Sequence, residues 1–246
     1  MFFAEIGDMS NFAGRFFKEA FTRPYEFKEL LRQCYNMGNR SLFLVMVTGF
    51  IIGLVFTLQS RPTLEEFGAV SWMPSMISVS IIREIGPVIT ALICAGRIGS
   101  GIGAELGSMK VTEQIDAMEV SGTNPFKYLV VTRILAVTLM LPLLVIIGDT
   151  VALIGSAMVE NLKGDVSYTL YFNQAFNTLK FTDIIPATVK SILFGFAIGL
   201  VGTHKGYNCS KGTVGVGEAS NSAVVYSSML LFIIDFIAVF VSDIFF

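Results

Sequence analysis

Charge is scarce in this sequence. Only 15% of its 246 residues are Lys, Arg, Asp or Glu, where an ordinary soluble domain carries about 25%. Hydrophobic residues make up 53%, 22 of them are Phe, and the mean hydropathy is +0.69. These values exclude a soluble globular domain and specify an integral membrane protein. Neither sign of charge is in surplus: the net charge is −2 and the pI near 5.5. A nucleic-acid partner, which would need a basic face or stripe, is therefore not expected. Cysteine is also sparse. Cys34, Cys94 and Cys209 lie far apart without a CxxC, which excludes a disulfide framework and reads as reduced, structural thiols. No GxxxxGK[ST] occurs, so nothing here cradles ATP phosphates, and energy for any driven process must come from a partner or an ion gradient. No cofactor or metal is expected on this chain. The N-terminus lacks the layout of a cleavable signal peptide, so the first hydrophobic helix is expected to direct insertion itself.

A hydrocarbon core of about 30 Å needs some 20 helical residues, and five stretches qualify, at roughly 41–59, 70–96, 128–158, 184–203 and 222–244. The third is long enough to tilt or to break at Pro142. Basic residues gather in alternate connections: Arg15, Lys18, Arg23, Lys28, Arg32 and Arg40 before the first span, Arg97, Lys110, Lys127 and Arg133 after the second, Lys205 and Lys211 after the fourth. Arg61, Lys163 and Lys180 are the opposing few. The positive-inside rule then places the N-terminus in the cytoplasm and, with five spans, the C-terminus outside. The fold class expected is an all-α integral membrane protein: residues 1–40 form an interfacial helical segment and residues 41–246 a five-helix transmembrane domain. In the first segment Phe12, Phe16, Phe17 and Phe21 recur at near-helical spacing around Arg15 and Lys18, with Pro24 closing it. That pattern suits a helix lying in the membrane surface, either as a simple anchor or as a gating or docking element. Residues 160–183, with Tyr168, Tyr171, Phe172 and Phe176, read as a partly helical outer segment.

The most informative stretch is residues 83–122. Arg83 and Glu84 sit inside an apolar span, where a charge at the bilayer centre costs about 2.5–3.5 kcal/mol on insertion scales. Pro87 follows and cannot donate to the carbonyl of Arg83, so a kink is expected one turn away. Adjacent helical residues point about 100° apart, so the two charges cannot satisfy each other. Lys190 in the fourth span and Asp235 in the fifth are the candidate partners, at similar estimated depth. The expectation is that Lys190 and Asp235 pair with Glu84 nearby. Such a cluster either fixes helix register alone or lines a cavity for lipid or solute.

Gly99, Gly103 and Gly107 then recur in steps of four, beside Gly96 and Gly101, and leave a helix face open to close packing. GSGIGA at 99–104 is no dinucleotide site, because a membrane span and not a strand precedes it. From Lys110 to Val120 the apolar Val111, Ile115 and Met118 share one helical side, while Glu113, Asp116 and Glu119 spread over the other. A short amphipathic helix is expected, ended by Ser121 and Gly122. It is either a solvated surface helix or a docking helix. An intramembrane hydrolase using Ser100 and His204 is set aside, since Ile98 replaces the first glycine of GxSG and both residues fall at span ends. An ion-coupled carrier using Glu84 or Asp235 is the remaining alternative, although no internal repeat is visible.

The run REIGPVITALICAGRIGSGIGAELGSMKVTEQIDAMEVSGTNPFKYLVVTRILA resembles the signature region of the MlaE (YrbE) permeases, the membrane subunits of MCE-associated ABC transporters. LPLL at 141–144, KSILFGFAIG at 190–199, GYNCSKGTVGVGEASNSAVV at 206–225 and the Asp235 region extend the likeness over nearly everything from about residue 40. The resemblance implies a non-catalytic, homodimeric permease of the bacterial inner membrane, moving phospholipid or a related lipid with a periplasmic MCE protein. ATP and Mg would be held by a cytoplasmic ABC ATPase dimer, in some members joined by a STAS-domain protein. It further implies that Glu113, Gln114, Ile115, Asp116, Met118 and Glu119 form the ATPase coupling helix, and that Glu84, Lys190 and Asp235, with Arg83 beside them, belong to the charge cluster of the lipid path.

Overall fold

The structure, a computed structural model, describes residues 2–23, 25–164, 166–210 and 212–245. Pro24 and Lys211, invoked above, lie outside these. Every regular element among the described residues is helical. Helix α1 (Phe2–Ala20) precedes α2 (Phe27–Glu66), which runs unbroken through residue 40, so its first turns belong to the same rod as the first span. The second span, Val70–Val111, is assembled from a short 3₁₀ turn, α3 (Met73–Ser80), α4 (Gly86–Cys94) and α5 (Ser100–Val111), separated by π-helical turns at Ile81–Ile85 and Ala95–Gly99. A seven-residue α6 (Gln114–Val120) follows, then a π turn at Phe126–Val131 leading into α7 (Thr132–Gly164). Helices α8 (Tyr168–Thr178), α9 (Phe181–Tyr207) and α10 (Thr213–Phe245) complete the chain.

Among the described residues, five helices are long and apolar enough to cross a membrane: Phe27–Glu66, Val70–Val111, Phe126–Lys163, Phe181–Tyr207 and Thr213–Ser242. Each outruns the hydrophobic stretch read from sequence, because polar residues at the ends continue the helix instead of breaking it. Pro142 lies inside α7 without interrupting it. At Pro87 the chain meets the missing donor with a wide turn: the Gly86 N–H bonds the Ile81 carbonyl five residues back, and Pro87 falls in the first turn of α4, where no donor is needed.

Helix α2 lies along α7, α7 packs on α9, and α9 and α10 enclose α5. Small residues set these distances. A Cβ at Gly53 would collide with the Ala152 carbonyl, and one at Gly49 would sit 2.7 Å from the Gly148 carbonyl oxygen. Gly103 and Gly107 do abut α10 and the turn before it, and Gly99 meets Ile198, whereas Gly96 and Gly101 face open space. In a bilayer, where lipid tails are as apolar as Leu, such close backbone contact is a main source of helix association. Helix α1 docks on the bundle through Phe12 and Phe16: Phe12 lies 5.0 Å from Phe126 and 5.1 Å from His204, Phe16 lies 5.6 Å from Phe196, and Phe17 and Phe21 stay exposed.

At the far end of α7, Tyr171 of α8 is fully buried and donates to Ser156 Oγ at 2.6 Å, which also accepts from Thr57 Oγ1 at 2.7 Å. Burial pushes the Tyr171 phenol up to about 12, so it stays a neutral donor. Tyr171→Phe is expected to lower stability by about 1 kcal/mol, measured as a fall in unfolding midpoint in detergent.

Candidate functional site

On α9 the residues Ala187, Lys190, Ser191 and Phe194 share one helical side, and all are buried against the bundle. Lys190 is thereby carried inward, with its side chain only 4% exposed. On α10 the buried Leu231 sits one turn before Asp235 and turns it toward the same place. Glu84 arrives on the π turn of the second span. Lys190 Nζ donates to Glu84 Oε2 at 2.7 Å and lies 2.8 Å from Asp235 Oδ1. The second contact is an ion pair without hydrogen-bond alignment, which leaves Asp235 Oδ1 buried and unmatched by a donor. At about 1.5 Å per residue, Lys190 is some 14 Å along its helix from Phe181, and Asp235 some 15 Å from Phe245. One ammonium thus holds two carboxylates well inside the apolar slab. The triad's formal charge is −1, and Glu84 and Asp235 remain partly exposed, at 39% and 21%.

Arg83 is not in this cluster. Its side chain turns to Asp183 at the start of α9, 3.9 Å away, because successive residues on a helical turn diverge and Lys190 takes the Glu84 side. Asp183 also accepts the Lys180 N–H at 3.0 Å at that helix start. Arg83 therefore belongs with the start of α9 and not with the triad.

The acidic helix is shorter than its periodicity suggests. Thr112 Oγ1 returns to the Ser108 carbonyl at 2.8 Å, the Glu113 N–H bonds the Lys110 carbonyl, and Glu113 adopts a left-handed φ of 58°. These bonds end α5 and begin α6 as a separate element at Gln114. Glu113 is thus the hinge between them and not part of the helix. Ile115 is buried at 2% exposure among residues that include Leu106, with Met118 packed on the same cluster. Gln114, Asp116 and Glu119 face outward, and Lys110 holds Asp116 at 2.8 Å. The end matches expectation: Gly122 at φ 82° donates to the Glu119 carbonyl while Thr123 donates to Met118. Helix α6 is consequently a fixed protrusion with one apolar side anchored.

Sequence reasoning missed Asp149. It lies buried in α7, its Oδ1 has no hydrogen-bond partner among the described residues, and it fits against the bare Cα of Gly86, where a Cβ would overlap it. A lone Asp in a long apolar span was the available signal.

The family model described as permease MlaE matches residues 30–241. A probable ABC transporter permease protein of Rickettsia typhi is 39% identical over 214 residues, 87% of this chain and 83% of that one. A second of that description, from Synechocystis, is 35% identical over 209 residues, covering 85% and 80% of the two chains. The chloroplastic protein trigalactosyldiacylglycerol 1 of Arabidopsis thaliana is 34% identical over 210 residues, 85% of this chain and 60% of that protein. This chain, whose described residues include five helices long and apolar enough to cross a membrane, belongs to the MlaE family of permeases.

Proposed function

We propose that this permease subunit moves phospholipid or a related lipid between the inner membrane and a periplasmic MCE protein, as a homodimer driven by a separate ABC ATPase dimer. The observation that carries the reading is the Lys190–Glu84–Asp235 triad. A charge group held this deep, with its two carboxylates partly exposed, can engage a polar headgroup while the flanking apolar residues take acyl chains. The naming of the Arabidopsis relative after a diacylglycerol glycolipid supports a lipid substrate. The weakly buried α10 exposes Phe232, Phe236 and Phe240, a surface fit for a second copy whose triad would then lie across the interface. Helix α6 offers Asp116, Glu119 and the 91% exposed Val120 to the ATPase, and the N-terminus faces the cytoplasm. A STAS-domain subunit would reach the complex through that ATPase.

The test is purification of the complex with its lipid identified by mass spectrometry, followed by reconstitution. ATP-dependent lipid movement is the expected result; movement driven by a proton gradient without an ATPase would favour the ion-coupled carrier instead. Reversal of Asp116 and Glu119 to Lys, with Glu113→Lys at the hinge, is expected to abolish ATPase copurification while leaving the fold intact, since all three side chains are exposed. Undiminished copurification would remove the docking assignment.

A further inference from the structure

A cavity of about 680 Å³ lies between α2, α5 and the start of α7, and none of the triad residues lines it. Arg32, Arg40, Arg97 and Arg133 line it, opposed by Glu29 and Glu105 alone. Both acids are already engaged. Glu29 accepts from Gln33 at 2.7 Å and Tyr128 at 3.2 Å, and Glu105 accepts from Arg133 at 2.8 Å. Arg40 and Arg97 make no ion pair within 4 Å among the described residues. The wall therefore keeps an uncompensated charge of two. It also holds two buried polar atoms with no partner: Arg133 Nε, on a residue 2% exposed, and Ser41 Oγ, on one 1% exposed. Buried donors of this kind are normally satisfied.

Position narrows the ligand. Arg40, Arg97 and Arg133 lie about 39, 40 and 45 Å along their helices from Glu66, Val70 and Lys163, at a rise of about 1.5 Å per residue. A hydrocarbon core spans about 30 Å, so the three guanidinium groups stand at headgroup level on the face away from Glu66, Val70 and Lys163. Two of the three π turns contribute here, the one bearing Arg97 and the one bearing Tyr128. Ile98, Ile102 and Leu129 form the apolar part of the wall. Planar guanidinium forks match phosphate oxygens, and the volume falls within the range of small-ligand sites.

We propose that this cavity binds a phosphate-bearing anion, either the headgroup of an anionic phospholipid or free phosphate, at a second site separate from the lipid path. With the N-terminus in the cytoplasm, as proposed above, this face is the cytoplasmic leaflet; the site itself does not rest on that orientation. The full chain, with whatever subunits copurify, would be placed in phosphatidylcholine nanodiscs containing a minority of phosphatidylglycerol, and the retained lipid counted by native mass spectrometry. In a second arm, inorganic phosphate would be titrated onto protein in phospholipid-free detergent. Arg40 and Arg97 are exposed, so Arg40→Gln with Arg97→Gln should fold, and Arg40→Lys with Arg97→Lys preserves charge without the fork. Wild type is expected to enrich phosphatidylglycerol over its proportion in the disc, the Gln pair to lose about tenfold or more, and the Lys pair to fall between. Enrichment without phosphate binding assigns the headgroup; saturable phosphate binding lost in the Gln pair assigns the free anion. Absence of both, or binding unchanged in the Gln pair, overturns the site. A chain that enriches phosphatidylglycerol yet moves no lipid would refute the proposed function and leave this site standing.

Discussion

Lys190→Ala is expected to abolish lipid movement and to lower stability by about 3 kcal/mol or more. Its ammonium is 4% exposed and lies 2.7 Å and 2.8 Å from two carboxylates on different helices. Its removal leaves Glu84 and Asp235 facing each other in a medium of low dielectric, and breaking a buried ion pair on one side costs about 3–5 kcal/mol. The partial exposure of both acids places the effect at the lower end of that range. Thermal unfolding in detergent reads the stability, and reconstituted transport reads the function. An alanine variant with an unchanged unfolding midpoint would show that the triad carries no structural role. Asp235→Ala should cost less, because Lys190 keeps its aligned bond to Glu84.

Gly53→Val should damage the fold at least as much. The α2–α7 contact brings the Ala152 backbone against the bare Cα of Gly53, with Ala152 Cα 3.0 Å from where a Cβ would stand. On the facing helix a Cβ at Gly155 would lie 2.6 Å from the Phe50 carbonyl oxygen, so neither helix can yield locally. Overpacking of a tight interface costs about 1–3 kcal/mol or more. Here the backbone itself is the obstacle, and about 3 kcal/mol with poor accumulation in the membrane is expected. Gly101→Ala is the control: it meets open space and, as Ala for Gly within a helix, should be neutral or stabilising by up to about 1 kcal/mol. Equal behaviour of the two variants in expression and thermal unfolding would contradict this packing account.

The charge triad was legible because ionisable residues in apolar spans are few and helical rise fixes their depth; Glu84, Lys190 and Asp235 could be matched on those grounds. Arg83 was not, since its partner Asp183 lies at a helix start whose position no periodicity reveals. The acidic helix was read one turn too long because Glu113 carries no breaker signal: its left-handed φ follows from backbone bonds to Ser108 and Lys110 formed around it. The spans were right in number and short in extent, because hydropathy marks where lipid begins and not where a helix ends. The basic cavity was hidden for a different reason. Its arginines had been counted only as topological charges, and their convergence depends on how α2, α5 and α7 cross.

The central claim is that the triad works in moving lipid and does not merely hold the helices in register. Replacing all three members by neutral residues of similar volume, Glu84→Gln, Lys190→Met and Asp235→Asn, removes the charges together and leaves none unpaired. Such replacements are often neutral or stabilising. The decisive measurement is the rate of ATP-dependent phospholipid movement by this triple variant, reconstituted with the proposed ATPase and shown to unfold at the wild-type midpoint or above. A rate reduced at least about tenfold is predicted; a wild-type rate from that stably folded protein would contradict the account.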